Sequence, residues 1–206
     1  MLTSVISPLK TVAVALLFVA ASAASCKRDG SRATDTNPGS VAAVKAQFDI
    51  LRDSVDLKWR NADEADVQLL GTTGLLLREL KGRIGIEATT VQALEKANTR
   101  LKARRYNRQS MANSDLIDQY DAAQDSLLQA IYPVAAPNGN APTEPIRNFV
   151  EGIQQTDAGV VRVRSNYDRA AHQYNDYLKL HQDELHSLGG KYGDLKPLPV
   201  FEIQLK

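Results

Sequence analysis

The sequence predicts an all-α protein, an elongated antiparallel bundle of two long and two shorter helices. Three observations carry that expectation. From Val41 to Leu80, apolar residues recur every three or four positions, the period of one helix face. From Ile146 to Leu188 they recur every seventh residue, as in a long helix packed along another at a shallow angle. Nowhere does the strict polar–apolar alternation of a half-buried strand compete. With 206 residues, 43% of them hydrophobic and 24% charged, the chain can bury one sizeable core.

Residues 1–25 have the anatomy of an export signal. Lys10 supplies a positive charge, an apolar run from Thr11 to Ala21 follows, and Ser22, Ala23, Ala24 and Ser25 are small. The run is too short to cross a bilayer, which takes about 20 apolar residues as a helix. Ala23-Ala24-Ser25-Cys26 resembles a bacterial lipobox. That resemblance implies a diacylglyceryl group on the Cys26 sulfur, cleavage before Cys26 and acylation of the new amino terminus. Ala23 departs from the pattern, which usually has Leu there. The alternative is an ordinary secretory signal cut after Ala23 or Ser25, leaving Cys26 a free thiol. Cys26 is the only cysteine, so no disulfide forms within the chain, and its position directly after small residues favours the lipid. Two or three acyl chains would anchor the protein stably, where one binds marginally. Residues 26–39 are polar and include Pro38 and Gly39, which reads as a flexible tether with a span of about 20 Å. Residues 40–206 then form the helical domain.

The first helix starts at an N-cap, Ser40, and places Val41, Val44, Phe48, Leu51, Val55, Ala62, Ala65, Leu69 and Leu76 on its inner face. Gly71 and Gly74 weaken it, and Gly82 and Gly85 end it. A second helix is expected from Ile86 to about Tyr106 with Val91, Leu94 and Leu101 inward. A third is expected from about Asn113 to Tyr132 with Leu116, Tyr120, Leu127 and Ile131 inward, stopped by Pro133. The last helix has the seam Ile146, Ile153, Val160, Tyr167, Tyr174, His181, Leu188, flanked three residues on by Phe149, Thr156, Val163, Ala170 and Tyr177. One helix from Pro145 to Leu188 would be about 65 Å long. Only another long helix can cover such a stripe, and 41–80 is the obvious partner.

The segment VRVRSNYDRAAHQYNDYL, Val161 to Leu178, is similar to the last long helix of the LemA family, which carries an Arg, a Tyr-Asn pair and a second Tyr-Asn one heptad later. Arg164, Tyr167, Tyr174 and Asn175 match, while Asp168 replaces the first Asn. Gln155-Thr156-Asp157 resembles the family's Thr-Glu segment, with Ala158 and Gly159 departing from the Asn-Arg that follows it. Tyr132-Pro133, Trp59 and the closing LKPLPVFE also match, but DVQLLGTTGLLL stands where the family has an Arg-Arg and Asp-Leu-Ile-Pro run. The resemblance implies a membrane-tied antiparallel helical bundle of a family with no settled biochemical activity.

Several residue groups are candidate sites. Tyr167 and Tyr174 share a face and are expected to fill the seam, each hydroxyl finding a partner at the core's edge, rather than to stack a ligand. Asp157 and Arg164 are expected to be half-buried ion-pair partners of neighbouring helices that fix register. Lys96, Arg100, Lys102, Arg104, Arg105 and Arg108 read as a solvated helix face, with anionic headgroups as the functional alternative. Asp183-x-x-His186 superficially resembles a di-iron element, but His172 and His181 supply no second copy, so no metal or other cofactor is expected. Gly189-Gly190-Lys191-Tyr192-Gly193 lacks the spacing of a phosphate loop and reads as a helix C-cap and turn.

Lys and Arg number 25 against 24 acidic residues, and removing Lys10 with the leader leaves 24 of each, so charge offers no case for nucleic-acid binding. No nucleophile–base or zinc-protease motif stands in the chain. The expected protein is a non-enzymatic interaction module of LemA-like type, lipid-anchored at Cys26 on the extracytoplasmic side and meeting a protein partner in the cell envelope. Lys27 in place of Asp leans its sorting toward the outer membrane. The alternative is an envelope protein that binds or senses a small ligand held between its helices.

Overall fold

The computed structural model describes residues 40–137 and 140–201. Cys26, the lipobox residues Ala23, Ala24 and Ser25, and the tether lie outside the described residues. Among those described, every regular element is helical, as expected for an all-α bundle: α1 (Val41–Leu80), α2 (Ala88–Ala103), α3 (Ser114–Ala135), α4 (Glu144–Leu180) and α5 (Gln182–Ser187). Short 3-10 turns at Ser110–Ala112 and Gly190–Tyr192 link them, and an extended tail runs on to Phe201.

Local chemistry sets the ends of α1. The Ser40 hydroxyl accepts from the Ala43 amide at 3.2 Å, which satisfies one of the free first-turn donors. At the other end Gly82 (φ 82) and Gly85 (φ 85) turn the chain through left-handed conformations that other residues resist. Between these stops α1 is 40 residues long, about 60 Å. It is continuous through Gly71 and Gly74, because the propensity lost there is small beside the burial of Leu69, Leu70, Leu76 and Leu77.

α4 lies antiparallel along α1. The Tyr177 hydroxyl donates to the Val44 carbonyl at 3.4 Å, while Gly152 faces Thr72 near the far end. The seam residues Ile146, Ile153, Val160, Tyr167 and Tyr174 are all buried against α1 and its neighbours. α2 packs on α1, and α3 closes onto α2 and α4. One core cluster joins the second half of α1 to α2, α3 and the start of α4. A second joins the first half of α1 to the end of α4, α5 and the tail.

Four expectations are corrected. α4 ends at Leu180 rather than reaching Leu188 as one helix: His181 (φ −118, ψ 29) breaks it, and α5 follows. At that level α1 has begun only at Val41, so a straight α4 would carry its seam past its partner; the bend instead drives Leu185 fully into the core. Pro133 does not stop α3, which runs to Ala135, because a proline in the last turn removes one hydrogen bond while Ala135 still gains burial. On α3 Ile117, not Leu116, faces inward, Leu116 being 42% exposed. On α1 Val41 is exposed and Leu51 and Ala65 are half-buried, since the core turns instead through Leu70, Leu77 and Leu80.

Candidate functional site

α1, α3, the segment after α2 and the tail all meet Arg164 of α4. Its Nη1 and Nη2 donate to the two carboxylate oxygens of Asp121 on α3, at 2.6 and 2.9 Å. Nη2 also lies 3.8 Å from Oδ1 of Asp66 on α1, whose other oxygen accepts from the Tyr106 hydroxyl at 2.9 Å. The guanidinium rests over the rings of Tyr106 and Phe201, 5.7 and 5.2 Å from their centroids. Burial would by itself lower the Arg164 pKa, but the Asp121 hydrogen bonds and the surrounding acidic groups raise it, so the cation is held firmly. The same burial raises the Asp66 carboxyl above the usual carboxylate range despite Arg164. Asp66 Oδ1, the Tyr120 hydroxyl and Gln124 Oε1 are buried without hydrogen-bond partners around this node.

The motif residues on α4 do one further job, which is to clamp the tail. The Tyr167 hydroxyl donates to the Pro199 carbonyl at 2.8 Å, and burial pushes its pKa up to about 12. Asn175 donates to the Leu198 carbonyl at 2.8 Å and accepts from the Leu198 amide at 2.7 Å, and Asp168 accepts from the Phe201 amide at 2.7 Å. An extended tail has no ladder of its own, so side chains of α4 satisfy its backbone. The clamp seats Phe201 in a cluster with Trp59, Tyr106 and Tyr167.

Arg164 is thus an inter-helix ion-pair partner, as the sequence predicts, but Asp157 is not. It carries no ion pair among the described residues and faces α3 at Gln124 and Asp125, because α3 presents acidic and amide groups at that level. Tyr167 and Tyr174 fill the seam, Tyr174 packing 4.9 Å from Phe48; a hydroxyl partner is present for Tyr167 only among the described residues. The basic cluster splits. Lys96, Arg100, Lys102 and Arg104 are exposed, but Arg105 bonds Asp63 and Arg108 bonds Asp56 at 2.6 Å, both on α1, because the chain turns back over α1 after α2. His172 and His186 are exposed and His181 stacks on Tyr177, and no group of three or more potential ligands gathers for a metal among the described residues. Gly189 (φ 64) and Gly190 (φ 53) make the expected turn, which buries Tyr192 with its hydroxyl donating to Asp49.

No family model, curated protein or solved structure matches the chain.

The side of the α1–α4 pair turned away from α2 and α3 is covered by no other described element. It holds an open groove of about 520 Å³ with Ala65, Gly152 and Gly159 along its floor and Glu64, Gln155 and Arg162 at its rims. Sequence reading passed over this groove, as it did Asp66 and Asp121. Asp66 left a trace, a lone acid among the inward positions of α1. The groove residues left none, since a solvated face and an unoccupied docking face have the same composition.

Proposed function

We propose that this chain is a lipid-anchored, non-enzymatic interaction module of the cell envelope, a divergent LemA-like protein held to a membrane at Cys26 on the extracytoplasmic side. The observation that carries the reading is the contrast between the two sides of the α1–α4 pair. Toward α2 and α3, the polar side chains of Arg164, Asp121, Asp66 and Tyr106 are engaged with one another. On the other side, two long helices present a grooved surface to whatever meets them. The apolar leader and the cysteine placed directly after small residues support the anchor. No helix among the described residues is long and apolar enough to cross a membrane. Arg164, Tyr167, Tyr174 and Asn175, the residues that carry the LemA resemblance, gather where α4 meets α1, α3 and the tail, which supports a shared scaffold rather than a shared reaction.

Fractionation of cells expressing the full chain, with intact mass of the purified protein, tests the anchor. The expected result is membrane recovery with the mass of a chain beginning at an acylated Cys26, and loss of both in Cys26→Ser. Recovery in the aqueous fraction with a bare thiol would reject it. Crosslinking in cells tests the module: specific adducts through the α1–α4 face are expected, and a melting shift with a small envelope metabolite in their place would favour the ligand-binding alternative.

A further inference from the structure

α1 carries a second heptad stripe, on the side that its own bundle does not cover. Ile50, Leu57, Glu64 and Gly71 stand seven residues apart, and Ile50 and Leu57 are 61% and 47% exposed. Heptad spacing keeps residues in line with a partner helix. On α4, Gly152 and Gly159 are also one heptad apart and face the groove.

These glycines are not needed by the chain's own packing. A Cβ on Gly71 would meet nothing within 4 Å, and on Gly152 or Gly159 only an ordinary contact at 3.9 Å. Gly74 differs, since a Cβ there would press on the Asn98 amide at 3.2 Å, so α2 accounts for it. A glycine inside a helix weakens it relative to alanine, and close approach of another backbone is one reason for its place there. Three such glycines, all on the uncovered side, leave room for a helix from outside this chain's fold to lie close.

We infer that the α1–α4 face docks a second copy of this chain, with α1 of each copy lying against α4 of the other. Charge selects this occupant and this arrangement. Glu64 on α1 and Arg162 on α4 are exposed, and neither is ion-paired among the described residues. α1 and α4 run antiparallel with Val44 level with Tyr177 and Thr72 level with Gly152. A two-fold axis along the helices therefore sets Gly71 of one copy over Gly152 of the other, and Glu64 over Gly159, one turn from Arg162. Glycine meets glycine and each acid meets a base, twice by symmetry. The other face-to-face two-fold, across the helices, lays α1 only on α1 and α4 only on α4, so Glu64 of one copy does not meet Arg162 of the other.

This rests on reading the chain as an interaction module, and it names the partner. The test is the mass of the full chain by light scattering in mild detergent across a dilution series. A dimer is expected, and it is lost in Gly159→Leu, whose side chain fills the groove while helical circular dichroism is retained and the melting temperature matches that of the wild type at high dilution. Glu64→Arg is also expected to lose the dimer, and Glu64→Arg with Arg162→Glu to restore it. A wild type that is monomeric at every concentration, or a dimer that survives both single substitutions, overturns the inference. A monomer still recovered with membranes and crosslinked to another envelope protein would overturn self-pairing alone and leave the module reading standing.

Discussion

Arg164 donates two hydrogen bonds to Asp121 while its guanidinium rests on Phe201 and Tyr106, so α3, α4, the tail and the segment after α2 share one cation. Removing it leaves Asp66 buried with Arg105 as its remaining counter-charge. Arg164→Ala is expected to lower stability by about 3 kcal/mol in urea unfolding, and Arg164→Lys to recover only part of that, since a lysine cannot make the forked pair with Asp121. Asp66 has the opposite sense. Its carboxyl is raised in the fold by burial, against the pull of Arg164. Its contribution to stability is therefore full below the unfolded carboxylate pKa of about 4 and is lost as pH rises through the higher folded value. Asp66→Asn keeps an oxygen for Tyr106 and takes no charge. Its stability relative to the wild type is expected to be greater at neutral pH than in acid, measured by unfolding at both; a constant difference would show that burial does not raise the Asp66 carboxyl.

At the scale of elements, the glycines of α1 and α4 separate two kinds of helix packing. Gly74 lies where α2 crosses α1, and a methyl group there reaches Asn98, whose amide donates to the Leu70 carbonyl at 3.2 Å. Gly152 and Gly159 have room. In thermal melts of the monomer, at dilutions where the proposed pairing is lost, Gly152→Ala and Gly159→Ala are expected to gain up to about 1 kcal/mol each from helix propensity, and Gly74→Ala to give no gain or a loss. Helix propensity favours alanine at all three positions, so a difference among them isolates the approach of α2. The bend at His181 obeys the same logic of cover. α4 continues only while α1 lies beneath it, and α5 then folds Leu185 over the end of the core.

For the molecule as a whole, the end of the chain closes the core that the beginning opens. Val44, Phe48 and Val55 are buried in one cluster with Leu185, Tyr192 and Phe201, so the first half of α1 lacks its cover until the tail is in place. A chain ending at Leu180 loses those three large side chains, each contributing roughly 2 kcal/mol of apolar burial. That sum is comparable to the total stability of many domains. The truncated chain is expected to keep most of its helical circular dichroism while its near-ultraviolet signal falls and its unfolding broadens. A sharp, undiminished transition would show that α5 and the tail are dispensable.

Helix placement was readable in the residues because it is local physics. Ser40 caps its own first turn, the paired glycines at 82 and 85 reverse the chain, and the seam from Ile146 to Tyr174 states its period without reference to any partner. The end of α4 was not readable, because His181 and Leu188 continue the heptad and only the start of α1 opposite decides where cover runs out. Nor was the pairing of charges. Arg164 announced itself by resemblance, but its choice of Asp121 depends on the rotation of α3. Arg105 and Arg108 looked solvated until the chain brought them back over Asp63 and Asp56. The sequence by itself determined which segments are helices and, to within a residue or two, which face of each is apolar. The tertiary structure alone decided which charges meet, what the α4 motif residues hold, and which side of the α1–α4 pair stays open, because these depend on groups far apart in the chain and on the angle at which each helix is set down.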